Sequence, residues 1–501
     1  MAERSNAHAW KACDGSNHPG VRIPFSPPVW ENMTKKVKRF TYIDLFCGAG
    51  GSTIGFANEY FELLLANDVD LVALQTFKNN LPIIHPEVKP NIIIHGDIRE
   101  LYKKLGTKKI RTRGIGHKTI SVAKASELYK NRPTISEDLS LEDYFRNLDH
   151  LDVLVGGPPC PGFSMIGRAK RGTLNDRSKG FVDDPRNQLF KYFLSFAERL
   201  NPKIILIENV KGLSSASNYR DLIECSLRET GRKYIVHSEV LNAKDFGVPQ
   251  NRERLIFIAV RKDIANALEL SSKSLKELLT FRAKPTSLRE ALDGLPKVKA
   301  NPYPNNYKET NEIDFHNNNK CFGQDISNQA YSKLVKRTDY IDRINKYRTK
   351  MKTPDHLYNH KARYHNDRDK KIYSELRPGK YLNDIENKKA LALVKYGVKK
   401  GPRGARFVSG FSDKYFKLDP QKPSKTIIAH LETDGNSYVH FNQLRSLTPR
   451  EAARIQSFPD WYRFAGSTRR QFRQIGNAIP PLMAQGLAKR IKSLLLKLGK
   501  K

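Results

Sequence analysis

Short apolar runs, continuous rather than alternating, punctuate the first half of the chain at residues 40–46, 63–66, 92–95, 151–155, 204–207, 234–241 and 255–260. Stretches with helical spacing separate them. Buried strands joined by helices predict a mostly parallel sheet covered on both faces, an α/β fold. From residue 261 to about 445 long apolar runs become scarce, and Asn, Tyr, Lys, Arg and scattered Pro take over. Regular patterning then returns. Thr448-Pro449-Arg450-Glu451 reads as a capping box with Pro at the first helical position. From Pro480-Pro481 onward Leu482, Ala484, Leu487, Ile491 and Leu494 recur at helical spacing. Residues 1–37 are polar, carry Pro and Gly without periodicity, and are expected to be disordered. The pattern thus divides the chain into a layered α/β unit (38–262 and 445–501) and a smaller irregular region (263–444).

Charge sharpens the division. The chain carries 88 Lys plus Arg against 52 Asp plus Glu, a net charge of +36, so an acidic polymer is the expected partner, and nucleic acid above all. Residues 261–445 alone hold 38 basic and 21 acidic side chains, an excess of 17. Residues 101–125 add eight basic side chains and no acidic one, which suits a solvated loop or contact with phosphates. No apolar run approaches the roughly 18 residues of a membrane span. Five cysteines without Cys-x-x-Cys spacing point away from a disulfide framework and from a zinc site, so no metal is expected and the chain is read as cytoplasmic and reduced.

Chemistry is concentrated where the predicted strands end, the edge at which open α/β sheets bind ligands. The first strand runs into Cys47-Gly-Ala-Gly-Gly-Ser-Thr53, where Gly48, Gly50 and Gly51 permit a tight turn ahead of a helix. The spacing departs from Gly-x-Gly-x-x-Gly, the next glycine being Gly55. Asp68 follows the second run and can accept from ribose hydroxyls; Asp97 follows the third and can accept from an adenine amino group. Taken singly, each acid also suits a helix cap or a turn. Cys160 lies in Leu154-Val-Gly-Gly-Pro-Pro-Cys-Pro-Gly-Phe-Ser164, just past an apolar strand, where a nucleophile would be displayed. Glu208 ends another such strand, and a carboxylate directly after four aliphatics is costly to desolvate. Arg252 and Arg254 stand two apart on a strand and should share a face.

In order along the chain, six segments resemble the DNA (cytosine-5) methyltransferases of prokaryotic restriction-modification systems. They are Asp44-Leu-Phe-Cys-Gly-Ala-Gly-Gly51, Gly157-Pro-Pro-Cys-Pro-Gly-Phe-Ser164, Glu208-Asn-Val210, Gln250-Asn-Arg-Glu-Arg254, Leu447-Thr-Pro-Arg-Glu-Ala-Ala-Arg-Ile-Gln456 with Phe458-Pro459, and Gln474-Ile-Gly-Asn-Ala-Ile-Pro-Pro481. The resemblance implies a Rossmann-like methyltransferase domain with a mixed, mostly parallel sheet, and makes 263–444 the target-recognition domain. S-adenosylmethionine would be the cofactor. Phe46 would pack on its adenine, with Gly48, Gly50, Gly51, Asp68, Asp97, Pro159 and Asn477 around it. Cys160 would attack C6 of a flipped cytosine, Glu208 would hold N3, and Arg254, with Arg252 beside it, would contact O2. Ser164, Arg168, Lys170 and Arg171 would close on duplex DNA. Arg363, Tyr364, His365 and Asn366 are candidates for base contact in the recognition domain.

The chain is expected to act as a monomer, with any cognate restriction endonuclease working separately. Two departures from the family pattern stand out. Pro161 occupies the position usually held by Gln, and the stretch 99–150 is longer and more basic than the family needs. An RNA-directed cytosine-5 methyltransferase and a non-catalytic DNA-binding module are the competing readings. The large recognition region argues against the first, and the intact Cys160, Glu208 and Arg254 set against the second.

Overall fold

The structure, a computed structural model, describes residues 39–103, 148, 150–159, 189–213, 219–231, 233–302, 330–385 and 415–499. Each of the seven apolar runs becomes a strand of one sheet: β1 (Thr41–Leu45), β2 (Glu62–Asp68), β3 (Ile93–His95), β4 (Val153–Gly156), β5 (Ile204–Val210), β6 (Tyr234–Asn242) and β7 (Glu253–Arg261). The order across the sheet is β3-β2-β1-β4-β5-β7-β6. β7 alone runs against its neighbours, pairing antiparallel with β5 and with β6, so the sheet is mostly parallel, as the pattern predicted, and mixed, as the resemblance implied.

Continuous apolar strands are required because both faces are covered. Tyr42, Val153, Val155, Leu206, Ile256 and Ile258 point into one buried core, under α1 (Gly51–Asn58), α2 (Leu71–Ile84) and the C-terminal helices. Ile43, Leu45, Leu154, Ile205, Ile207 and Phe257 point into the other, under α3 (Ile98–Lys103), α4 (Leu189–Leu200) and α5 (Tyr219–Glu229). The period of two along each strand sends alternate residues to opposite layers.

After β7 the chain forms short helices and turns, then α6 (Pro449–Ile455), α7 (Thr468–Asn477) and α8 (Pro481–Leu498). The predicted capping box is present: Thr448 Oγ1 accepts from the Glu451 N–H at 3.2 Å, and the Glu451 carboxylate accepts from the Thr448 N–H at 2.7 Å. The irregular region shares the first core, to which it contributes Leu288, Ile341, Ile344, Leu418, Ile427 and Leu431. A buried charge cluster fastens it further. Arg454 donates from Nη2 to Asp460 Oδ2 at 2.7 Å, Tyr331 donates to the same carboxylate, and Asn345 Oδ1 accepts from the Asp460 N–H at 2.7 Å. Among the described residues no helix is long and apolar enough to cross a membrane.

Candidate active site

The sheet reverses its direction of winding between β1 and β4, so the crevice at their carboxyl ends is the topological switch point of the fold. One side of it is built by β1. The strand stops at Leu45 because Phe46 adopts a left-handed φ of 61°, which turns the chain out of the sheet. Gly50 then caps α1 with φ 76°. Gly51 permits the closest approach in the turn, since a Cβ there would lie 2.4 Å from the Ile479 carbonyl oxygen. A Cβ on Gly48 would meet nothing within 4 Å, so the backbone is open toward the crevice at that point.

Two carboxylates hold this turn, Asp44 buried and Asp68 half-buried. Asp44 accepts from the Ser52 and Thr53 hydroxyls at 2.5 and 3.0 Å, and burial pushes its carboxyl up to about 7 against those hydrogen bonds. Asp68, at the end of β2, accepts from the Gly48 N–H and the Asp70 N–H, each at 2.8 Å. Burial raises Asp68 to about 6 although both N–H groups favour its charged form. Asp97 follows β3, two residues past His95, the partner of Asp68 across the sheet, and its carboxylate takes a bidentate contact from Arg99 at 2.8 and 2.7 Å. The exposed aliphatic side chain of Val69 sits beside Asp68. Phe46, Val69, Asp68, Asp97 and the open backbone at Gly48 thus stand at the carboxyl ends of β1, β2 and β3, an apolar and acidic set of the chemistry that an adenosine would need. Asn477 is exposed at the end of α7, two residues before the Ile479 carbonyl that abuts Gly51.

The other side of the crevice is built by β4, β5 and β7. β4 runs out through Gly157, Pro158 and Pro159, and Asn209 Nδ2 donates to the Pro158 carbonyl at 3.1 Å. Glu208 forms an ion pair with Arg254, Oε1 to Nε at 2.8 Å, with both side chains mostly buried. A Cβ on Gly157 would lie 3.5 Å from Glu208 Oε2, so the carboxylate stands directly beside the exit of β4. Glu208 also borders a small cavity whose other walls include Ser52, Val155, Leu206 and Ile479. Among the described residues, Glu208, Arg254 and Pro159 therefore share one sheet edge with Phe46, Gly48, Gly50, Gly51, Asp68 and Asp97. Cys160, Ser164, Arg168, Lys170 and Arg171 lie outside the described residues, as do residues 1–37 and 104–125.

Arg252 is used differently from the expectation, and its catalytic assignment is corrected. Its side chain is 1% exposed; Nη1 donates to the Ile427 and Gly476 carbonyls at 2.8 and 3.2 Å, and Nη2 to Gly476 and Ala478 at 3.2 and 3.0 Å. These carbonyls hold the guanidinium in a backbone junction. The alternation of a strand pointed to a shared face but could not reveal that carbonyls from residues 427, 476 and 478 converge there. Gln250 and Gln456, present in two of the matching segments but given no role by the sequence, complete the junction. Gln250 Nε2 donates to the Ile455 carbonyl at 3.0 Å, and Gln456 Nε2 to the Ile475 carbonyl at 2.7 Å.

The base-contact candidates are also revised. His365 is buried and bonded to the Tyr373 hydroxyl and the Ser446 N–H, each at 3.1 Å. Asn366 caps the helix Asp367–Glu375, accepting from the Asp369 N–H at 2.8 Å. Arg363 stacks on Phe472 at 4.5 Å and donates to the Leu431 carbonyl at 2.8 Å. Of the three, His365 lies in the interior of the region, while Arg363 and Asn366 are half-buried and engaged in contacts within the protein. Cys47 is buried and burial raises its thiol, so it is a poor nucleophile.

Comparison with known proteins agrees with this architecture. The profile of the family described as C-5 cytosine-specific DNA methylase matches residues 40–115 and 103–493. The chain is 31% identical over 481 residues to the type II methyltransferase M.AgeI of Thalassovita gelatinovora, covering 90% of this chain and 98% of that protein. It is 29% identical over 464 residues to the type II methyltransferase M.DdeI of Desulfomicrobium norvegicum, with 90% and 88% covered. A crystal structure described as a DNA modification methyltransferase encoded within an E. coli prophage shares the fold. Its TM-score is 0.53 at 23% identity, covering 91% of this chain and 99% of that one.

Proposed function

Because the chain belongs to the C-5 cytosine-specific DNA methylase family and is a DNA (cytosine-5) methyltransferase, we propose a route to that reaction in which Cys160, Glu208 and Arg254 carry the chemistry. The observation that supports it most is the Glu208–Arg254 ion pair beside the exit of β4, immediately before the position of Cys160.

C6 of a cytosine is hidden in a stacked duplex, so the target base is flipped into the crevice. The Cys160 thiolate adds to C6, forming the C–S bond. Glu208 holds N3 and Arg254 meets O2, stabilising the charge that enters the ring. Loss of the 5,6 double bond makes C5 nucleophilic. S-adenosylmethionine, when bound, supplies an electrophilic methyl group to C5. A base in the site then removes the C5 proton, the double bond re-forms and Cys160 departs as thiolate. Phe46, Asp68, Asp97, Gly48, Gly50, Gly51, Pro159 and Asn477 are the residues that would hold the cofactor, their apolar and acidic chemistry suiting its adenosine half.

The net charge of +36 suits duplex DNA as substrate, with 263–444 as the recognition region and Ser164, Arg168, Lys170 and Arg171 closing on the backbone. The naming of the relatives as type II methyltransferases supports a role in restriction-modification, protecting sites from a separate endonuclease. Incubation with labelled S-adenosylmethionine and duplex DNA should label cytosines, and bisulfite sequencing should map the motif. Cys160→Ser should abolish turnover and retain cofactor binding. No transfer to DNA by folded protein, or a preference for tRNA, would overturn the reading.

A further inference from the structure

Between the recognition region and the cofactor side, the described residues make a set of contacts that the reaction above does not use. Residues 428–432 lie along α7. A Cβ on Gly476 would be 2.3 Å from both Ala429 N and Ile428 C, so the two backbones touch with no room for a side chain. Arg473, one helical turn before Asn477, makes a bidentate ion pair with Glu432, Nε to Oε2 at 2.7 Å and Nη2 to Oε1 at 2.8 Å. The charge of Asp70, two residues after Asp68, further favours the charged form of the same guanidinium. At its other side α7 is pinned to α2, where Thr76 donates to Gln474 Oε1 at 2.6 Å. Arg252 closes the set by holding the Ile427 carbonyl together with those of Gly476 and Ala478.

From this geometry we propose that Glu432 and Arg473 are positioning residues of the methyl transfer: their ion pair sets the recognition region and the Asn477 end of the cofactor cleft as one element. The inference rests on the proposed function for the identity of both ligands. A recognition segment tied to α7 cannot shift on DNA without moving the helix that ends in Asn477. Seating of DNA and of cofactor are thereby coupled, and by linkage the coupling is reciprocal.

Charge exchange tests it. Plasmid DNA whose methylated positions have been mapped by bisulfite sequencing is the substrate, with S-adenosylmethionine Kd, KM for DNA, discrimination between the mapped site and one-base variants, and thermal midpoint as readouts. Glu432→Arg and Arg473→Glu should each weaken cofactor binding and reduce discrimination together, by about five-fold or more, since like charges then face each other. The double exchange should restore both to within about two-fold of the parent. Single variants that change neither quantity, or a double variant no better than the worse single one, would overturn the proposal, as would discrimination that falls while cofactor affinity holds. Absence of transfer to any DNA by the parent protein would instead strike at the underlying function, and the rescue of cofactor affinity would still be readable.

Discussion

Arg254 Nε lies 2.8 Å from Glu208 Oε1, a pair reached diagonally across antiparallel strands β5 and β7, in which Glu208 is opposite Ile256 and Arg254 opposite Val210. Each group offsets the desolvation of the other, and Glu208 stands beside the exit of β4. Glu208→Gln keeps the shape and removes the charge. It is expected to lower kcat by about 10²–10⁴-fold with a much smaller change in KM for DNA. Single-turnover methylation measures this directly, and a change confined to KM would remove Glu208 from the chemistry.

Arg252 and Arg254 should separate cleanly under mutation. Arg252→Lys replaces a fork reaching three carbonyls by a single ammonium inside a closed junction. A loss of about 2–4 kcal/mol in stability is expected, read by denaturant unfolding. Arg254→Lys should cost less stability and more turnover. A stable, inactive Arg252→Lys would contradict the structural role.

Cofactor affinity should depend on pH through Asp68. Ribose hydroxyls donate best to an ionised carboxylate, and burial has pushed this one up to about 6. Affinity should therefore fall as pH drops through about 6, by at most about ten-fold per pH unit. Calorimetric titration of S-adenosylmethionine between pH 5 and pH 8 checks this, and Asp68→Asn should bind weakly with a flat profile. A parent Kd independent of pH would exclude the contact.

Acid should weaken the interior of the recognition region. Burial lowers His360 and His440 to about 4 and His365 to about 3, below the ordinary 6.5. The unfolded chain binds these protons first, so the stability from neutral His365 is present above pH 6.5 and is lost as pH falls toward 3. Asp44 and Asp68, raised above 3.8, act in the opposite sense over an overlapping range, so total stability is the wrong readout. The stability gap between the parent and His365→Gln should narrow by up to about 1.4 kcal/mol per pH unit as the pH falls from 6.5. A constant gap would count against a neutral, buried His365.

Strand positions were legible because a sheet covered on both faces demands unbroken aliphatic runs, and each of the seven runs found its place. The edge chemistry was legible for the same reason: Asp68, Asp97 and Glu208 are polar groups standing directly after such runs. What stayed hidden depends on distant carbonyls. Nothing local to Arg252 announces Gly476 or Ala478, and nothing local to His365 announces Ser446. Polar, irregular sequence at 263–444 looked like surface, yet Leu418, Ile427 and Leu431 carry it into the central core. Sparse apolar positions there are enough because each meets a core already built by the sheet.

The packing of α1 on α8 makes the fold a clasp. A Cβ on Gly55 would lie 2.4 Å from the Gln485 nitrogen, so the helix after the first strand and the last helix interlock at backbone range. A side chain introduced at Gly55 would therefore be felt first at the far end of the chain, by prising the last helix away from the turn that follows β1.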